Sequence, residues 1–188
     1  MHIDNIKHTD VWQDVKDATM NTIGKNTGKY PDSEWKRRLL ISEHSPIRKI
    51  RLSWRWVDLK YWVSVHLVRH WLGIVHFVKT QRTDRTGINR DELVQGAFVS
   101  HEVDANAQAC INISRKRLCF QASPETREAW QKVKDEVVAP REPELARCMV
   151  RECVYRGFCP EMFSCGYYKT EAYKKELAHY REGINQEC

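Results

Sequence analysis

The sequence contains no Cys-x-x-Cys pair, although it has seven cysteines in 188 residues. Structural zinc sites usually open with such a knuckle, because a two-residue gap lets both thiolates reach one ion. No His-Glu-x-x-His motif is present, so a zincin-type catalytic helix is excluded. Internal repeats and low-complexity tracts are also missing. The most apolar run, 61–78, is interrupted by His66, Arg69, His70 and His76, which argues against a membrane span. MHIDNIKHTD, at the N-terminus, has no apolar stretch and does not read as a signal peptide. An odd cysteine count without a secretory signal favours free thiols or metal ligands over a disulfide framework. The expectation is a cytoplasmic protein.

The composition is that of a globular chain, with 30% charged and 41% hydrophobic residues. Its length suits a single domain, or one with a small appendage. Lys and Arg exceed Asp and Glu by 31 to 25. That modest excess suits an anionic ligand such as a nucleotide and does not by itself indicate nucleic acid.

Periodicity predicts a helix over 11–23 capped by Thr9 or Asp10, a loop over 24–33, and a short helix from Ser33 to Leu40. Alternation from Ile50 to Trp56 predicts a strand. Asp58 is expected to cap a buried helix that ends near Gly73. Residues 74–80 read as a strand, 81–92 as a polar Arg-rich loop, and 91–99 and 102–120 as helices. Ser123-Pro124 marks a helix to about Val137, and Pro143 one to about Cys153. A polar helix over 170–181 closes the chain.

On a helix over 102–120, at about 100° per residue, Asn106 and Arg117 fall on one face three turns apart. Asn112 falls on another. The plain alternative is that Asn106 sits near an N-cap and Arg117 is a solvated C-terminal charge.

Asn106, Asn112, Arg117-Leu118, Ala122, Glu125 and Arg127 together resemble the nucleotide- and flavin-binding helix of the flavin-dependent thymidylate synthases, the ThyX type. Glu43-His44 before a strand, and a helix ending in Arg69-His70, extend the resemblance over roughly residues 10–137. The signature of that family runs Arg-His-Arg-x-x-Ser-x-Asn-Glu-x-Ser-x-Arg. Here Arg69-His70 is followed by Trp71, with Ile74 at the first serine and His76-Phe77 in place of Asn-Glu. Thr80-x-Arg82 stands in for the final Ser-x-Arg with one inserted residue, and His66 replaces a glutamine. These departures point to a divergent member, of the sort phages encode to modify pyrimidines.

The resemblance implies an α+β fold, with one ThyX-like domain over 1–140 whose antiparallel or mixed sheet is flanked by helices. A Cys-rich helical extension over 141–188 would pack on it. It implies one-carbon transfer to carbon 5 of a deoxyuridine nucleotide, giving thymidylate or a hydroxymethylated product. FAD would be the cofactor, methylenetetrahydrofolate and NADPH the co-substrates, and a homotetramer the assembly that builds each site from several subunits. The protein would work in a bacterial or phage-infected cytosol. Arg117, Arg82, Arg85, Thr80, Gln81 and His66 would then bind substrate, and His44, Arg69, His70, Asn106 and Asn112 the flavin. No protein side chain attacks the base in this chemistry.

Three readings lie outside that scheme. Cys148, Cys153, Cys159 and Cys165 form a candidate zinc or iron–sulfur set, against a default of partly buried thiols. His66, His70 and His76 form a minor metal candidate. Trp54, Trp56, Trp62 and Trp71 offer stacking surfaces, against a default of core and interface. The alternatives to an enzyme are a flavin- or nucleotide-binding protein of the same fold, or a small nucleic-acid-binding protein that uses the Cys-rich tail.

Overall fold

The computed structural model describes residues 1–183. Strands β1 (His2–His8), β2 (Arg51–Lys60), β3 (Ile74–Val78) and β4 (Phe98–Asn106) form one antiparallel sheet in the order β1-β2-β4-β3. The described α-helices are α1 (Trp12–Thr22), α2 (Ser33–Ile41), α3 (Tyr61–Val68), α4 (Thr83–Thr86), α5 (Ala107–Arg117), α6 (Pro124–Lys132), α7 (Pro143–Cys148), α8 (Glu152–Arg156) and α9 (Glu171–Arg181). The arrangement is α+β. None of the described helices is long and apolar enough to cross a membrane.

β1 was not foreseen. Its two apolar residues, Ile3 and Ile6, are three apart and break the alternation that marks a strand. A bulge at Asn5, whose φ is +48°, inserts the extra residue and lets both side chains pack on the core. β2 uses the same device. Asp58, at φ +56°, is a bulge in the strand and not the helix cap expected from sequence. Trp56 and Leu59 on either side of it are both buried. α3 begins directly after β2 and ends at Val68, five residues short of Gly73.

The helices expected over 91–99 and at the start of 102–120 are instead a 3-10 turn (Arg90–Glu92) and β4. Val99, His101, Val103 and Ala105 alternate inward along β4. The inward histidine hides that period-two pattern from a hydrophobicity reading. The helix expected from Pro143 to Cys153 is divided by an extended stretch at 149–151 into α7 and α8.

The core lies under the sheet, where Trp54, Trp56 and Trp130 meet with ring centroids 5.4–6.3 Å apart. α5 runs through it, burying Ala107, Ala109, Cys110, Ile111, Ile113 and Ser114. Trp130 donates to the Ser114 hydroxyl at 2.9 Å, which supplies the partner a buried indole needs. After Lys132 the chain continues as one π-helical stretch, Val133–Val138. Leu145, Ala146, Cys148 and Met149 around α7 join this main core. A second, smaller core of Val150, Cys153, Val154, Tyr173 and Tyr180 joins α8 to α9. Arg37 of α2, 7% exposed, ties α9 down by donating to the carbonyls of His179, Tyr180 and Glu182. Those carbonyls lack helical partners, and a guanidinium fork satisfies several at once.

Candidate functional site

The site is built where the C-terminus of α3 and the turn 69–73 lie along α5. At one end of α5, Asn106 is the N-cap. It has extended backbone, and its Oδ1 accepts from the Ala109 N–H at 2.9 Å. Its own N–H donates to the Gly73 carbonyl at 2.8 Å. Gly73 has φ +75°, and a Cβ there would lie 2.7 Å from the Asn106 side-chain amide. At the other end, Arg117 donates from Nε to Nε2 of His70 at 2.8 Å and from Nη2 to the His66 carbonyl at 2.6 Å. Asn106 and Arg117 thus both meet the segment that ends α3, though Asn106 lies outside the helix in which sequence periodicity placed it.

Electrostatics at this point are unbalanced. Burial, then Arg117, then His76, hold the His70 imidazole down to about 4. Burial followed by Arg117 and Arg69 lowers His66. Arg117 is itself lowered, first by burial and then by the exposed Arg69 nearby. Neither guanidinium forms an ion pair with a carboxylate among the described residues. Two adjacent cations without a carboxylate favour an anion placed between them.

The other expected residues fall into two further groups. Asn112 accepts from Gln108 at 3.3 Å, and Gln108 also donates to Glu43 at 2.5 Å. Glu43, at φ +51°, is paired with Arg115, whose guanidinium lies 3.6 Å from the Tyr155 ring centroid. His44 is exposed just beyond Glu43. Glu43, Gln108 and Arg115 are members of this network that sequence reasoning missed. The only signal for them was Glu43 in the Glu-His pair.

The third group is Thr80, Gln81, Arg82 and Arg85. Thr80, Gln81 and Arg85, with Lys79, Thr86 and Phe98, line a cavity of about 300 Å³. Arg82 is engaged with Asp84 through two bonds of 2.8 and 2.9 Å. The group lies beyond the far end of β3 from the 69–73 turn, so five strand residues separate them, roughly 16 Å at 3.3 Å per residue. No hydrogen bond or ion pair among the described residues joins the 80–85 loop to Arg117.

The four cysteines do not form one cluster: Cys148 stands apart, whereas Cys159 packs with Cys153 and both Cys159 and Cys165 lie near Cys119. Cys148 lies in the main core, and burial pushes its thiol up to about 12. Cys153 belongs to the second core, with its thiol raised to about 11, and Cys165 is exposed. No group of His, Cys, Asp or Glu among the described residues is arranged to hold a metal ion. His66 and His70 are likewise occupied, by Thr126 at 3.1 Å and by Arg117. Trp54 and Trp56 are fully buried, Trp62 packs edge-on to His66 at 5.4 Å, and Trp71 is 73% exposed.

No family model matches the sequence, and no curated protein does. Solved structures with the same fold exist. The UMP/dUMP methylase PolB from Streptomyces cacaoi, bound with 5-Br dUMP, aligns over 84% of this chain and 96% of its own at 14% identity, with a TM-score of 0.59. The flavin-dependent thymidylate synthase ThyX from Helicobacter pylori, complexed with FAD and dUMP, aligns over 79% and 99% at 12% identity, with a TM-score of 0.61. The chain shares the fold of both.

Proposed function

We propose that this chain is a flavin-dependent enzyme that transfers a one-carbon group to carbon 5 of a deoxyuridine nucleotide. One observation carries the reading. Within a fold shared with two pyrimidine-nucleotide methylating enzymes, Arg117 is bonded to His70 and to the His66 carbonyl, beside Arg69, with no carboxylate among the described residues paired to either cation. The two segments that resemble the ThyX type are the two that meet there.

The residues fit a flavin dinucleotide. Its diphosphate is an anion suited to Arg69, and the exposed Trp71 and Leu72 offer apolar surface to a planar ring. FAD, when bound and reduced, would supply the hydride, with methylenetetrahydrofolate as carbon donor and NADPH as reductant. The chain itself binds and orients. Arg117 holds the pyrimidine nucleotide. His70, kept uncharged by burial, fixes the guanidinium plane, and Arg69 faces the cofactor with His44, Asn106 and Asn112. Thr80, Gln81, Arg82 and Arg85 take the nucleotide phosphate. They do so from another subunit of a homotetramer, which removes the separation seen within one chain. The Cys-rich segment from 141 to 183 packs on the 1–140 domain, with α7 seated in the main core.

Tritium release from carbon 5 of labelled dUMP, with folate, flavin and reductant present, tests the reaction, and UMP should be assayed beside it. A yellow protein that releases no tritium would reduce the proposal to a flavin- and nucleotide-binding protein. The replacement of Asn-Glu by His76-Phe77 is the feature that favours this second reading. A protein that stays colourless after reconstitution with FAD would sink both.

A further inference from the structure

His76 occupies the position where the resemblance to the ThyX signature breaks, and it is not idle. Its Nε2 lies 2.6 Å from the His70 carbonyl oxygen, and its Nδ1 lies 2.9 Å from Nε2 of His101. A carbonyl can only accept, so the Nε2 of His76 carries a proton and donates. In the neutral ring Nδ1 is then a lone pair, and His101 donates to it from Nε2. The remaining His101 nitrogen, Nδ1, is buried without a partner among the described residues. His101 is fully buried, held between the Trp56 ring at 5.3 Å and the His76 ring at 5.1 Å. With both rings neutral, every bond in this row has one direction, running from the core of the sheet to the backbone of His70.

His70 is thus gripped twice. His76 holds its carbonyl, and Arg117 bonds its ring. We infer that His101 and His76 are positioning residues: they set the His70 peptide, and through it the His70 ring, so that Arg117 presents its guanidinium in one orientation. Neither touches a ligand. The role rests on the reading of Arg117 as a nucleotide-binding group, and it assigns a use to a position where the chain departs from the motif it resembles.

The test uses dUMP as probe, with the full-length protein in three variants: His76→Phe, His101→Phe and His76→Gln. A glutamine amide can donate to the His70 carbonyl and accept from His101, so it can replace the His76 ring. His76→Phe should weaken dUMP binding by roughly tenfold, the scale of one lost hydrogen bond, and His76→Gln should restore most of it. Nitrogen-15 spectra of the histidine rings should show Nε2–H on both His76 and His101. Dissociation constants equal to wild type in both phenylalanine variants would overturn the inference, as would an Nδ1–H tautomer on His101. His76 lies on the edge strand, so its variants remain informative if His101→Phe does not fold. If the wild type takes up neither dUMP nor FAD, the functional reading has failed, and exchange of the Arg117 Nε–H decides the matter. Exchange that quickens in His76→Phe supports the row, and unchanged exchange refutes it.

Discussion

Arg117 and His70 are joined by a 2.8 Å hydrogen bond in which the guanidinium donates and the imidazole accepts. That bond requires an uncharged histidine, and burial keeps His70 uncharged by lowering it to about 4. Arg117→Ala should therefore do two things. It should remove the charge-assisted contact to the nucleotide, raising the dUMP dissociation constant by roughly 10- to 100-fold, the scale of 1.5–3 kcal/mol. It should leave FAD binding much less affected. Parallel titrations check this, and equal loss of both ligands would refute the assigned role. Arg117→Lys should not rescue, because an ammonium cannot bond His70 and the His66 carbonyl in one plane.

Acid should destabilise the protein well above the carboxylate range. Burial, with the neighbouring Arg117 and His76, lowers His70 to about 4, and burial, with His76, lowers His101 to about 3. Both gain protons near 6.5 once unfolded. Between 6.5 and about 4 the unfolded chain binds more protons than the native one, so stability falls as pH falls. The contribution is fully present above 6.5. Urea midpoints measured from pH 7.5 down to 4.5 should decline through that window. A flat profile would show that the two imidazoles are not held uncharged.

Gly73→Ala should be among the most damaging small substitutions. The position has φ +75°, and the new methyl group would press on the Asn106 amide at 2.7 Å. Relieving that clash displaces the cap of α5. Backbone strain and a lost N-cap together suggest a cost of about 2 kcal/mol or more. A lowered melting temperature accompanied by weaker dUMP binding is the expected pair of results. An unchanged melting temperature would be incompatible with the contact.

Arg37→Met should loosen the C-terminal helix selectively. The guanidinium spans carbonyls at the end of α9 from a buried position, and methionine retains the length but not the donors. Hydrogen exchange should accelerate in 171–181 while the amides of β2 and β4 remain protected. Uniform acceleration would mean that Arg37 supports the whole fold.

Elements with clean periodicity or clear punctuation were legible in the sequence. Ser123-Pro124 caps α6 as expected, and Ser33 opens α2 after the Asp32 cap. β1 and the end of β2 were obscured by bulges, which convert a period of two into a spacing of three. β4 was hidden by His101, a polar residue on an inward face that is tolerated because its Nε2 is hydrogen-bonded to His76. At the site, Arg117, Arg69 and His70 could be singled out from a motif. Their bonding could not, since nothing in the spacing of 70 and 117 tells that one side chain ends on the other. The cysteine spacing misled for a similar reason. Residues 149–151 turn the chain between the two cores, so Cys148 and Cys153 belong to different ones.

The bulge at Asp58 has a consequence for the site above it. β2 passes into α3 with no intervening loop, so the strand sets the angular phase at which the helix begins. Removing one residue from a strand turns every later side chain to the opposite face. His66, Arg69 and His70 take their directions from that phase. The left-handed residue at Asp58, some ten positions upstream, therefore acts as the index mark that aims the end of α3 at Arg117.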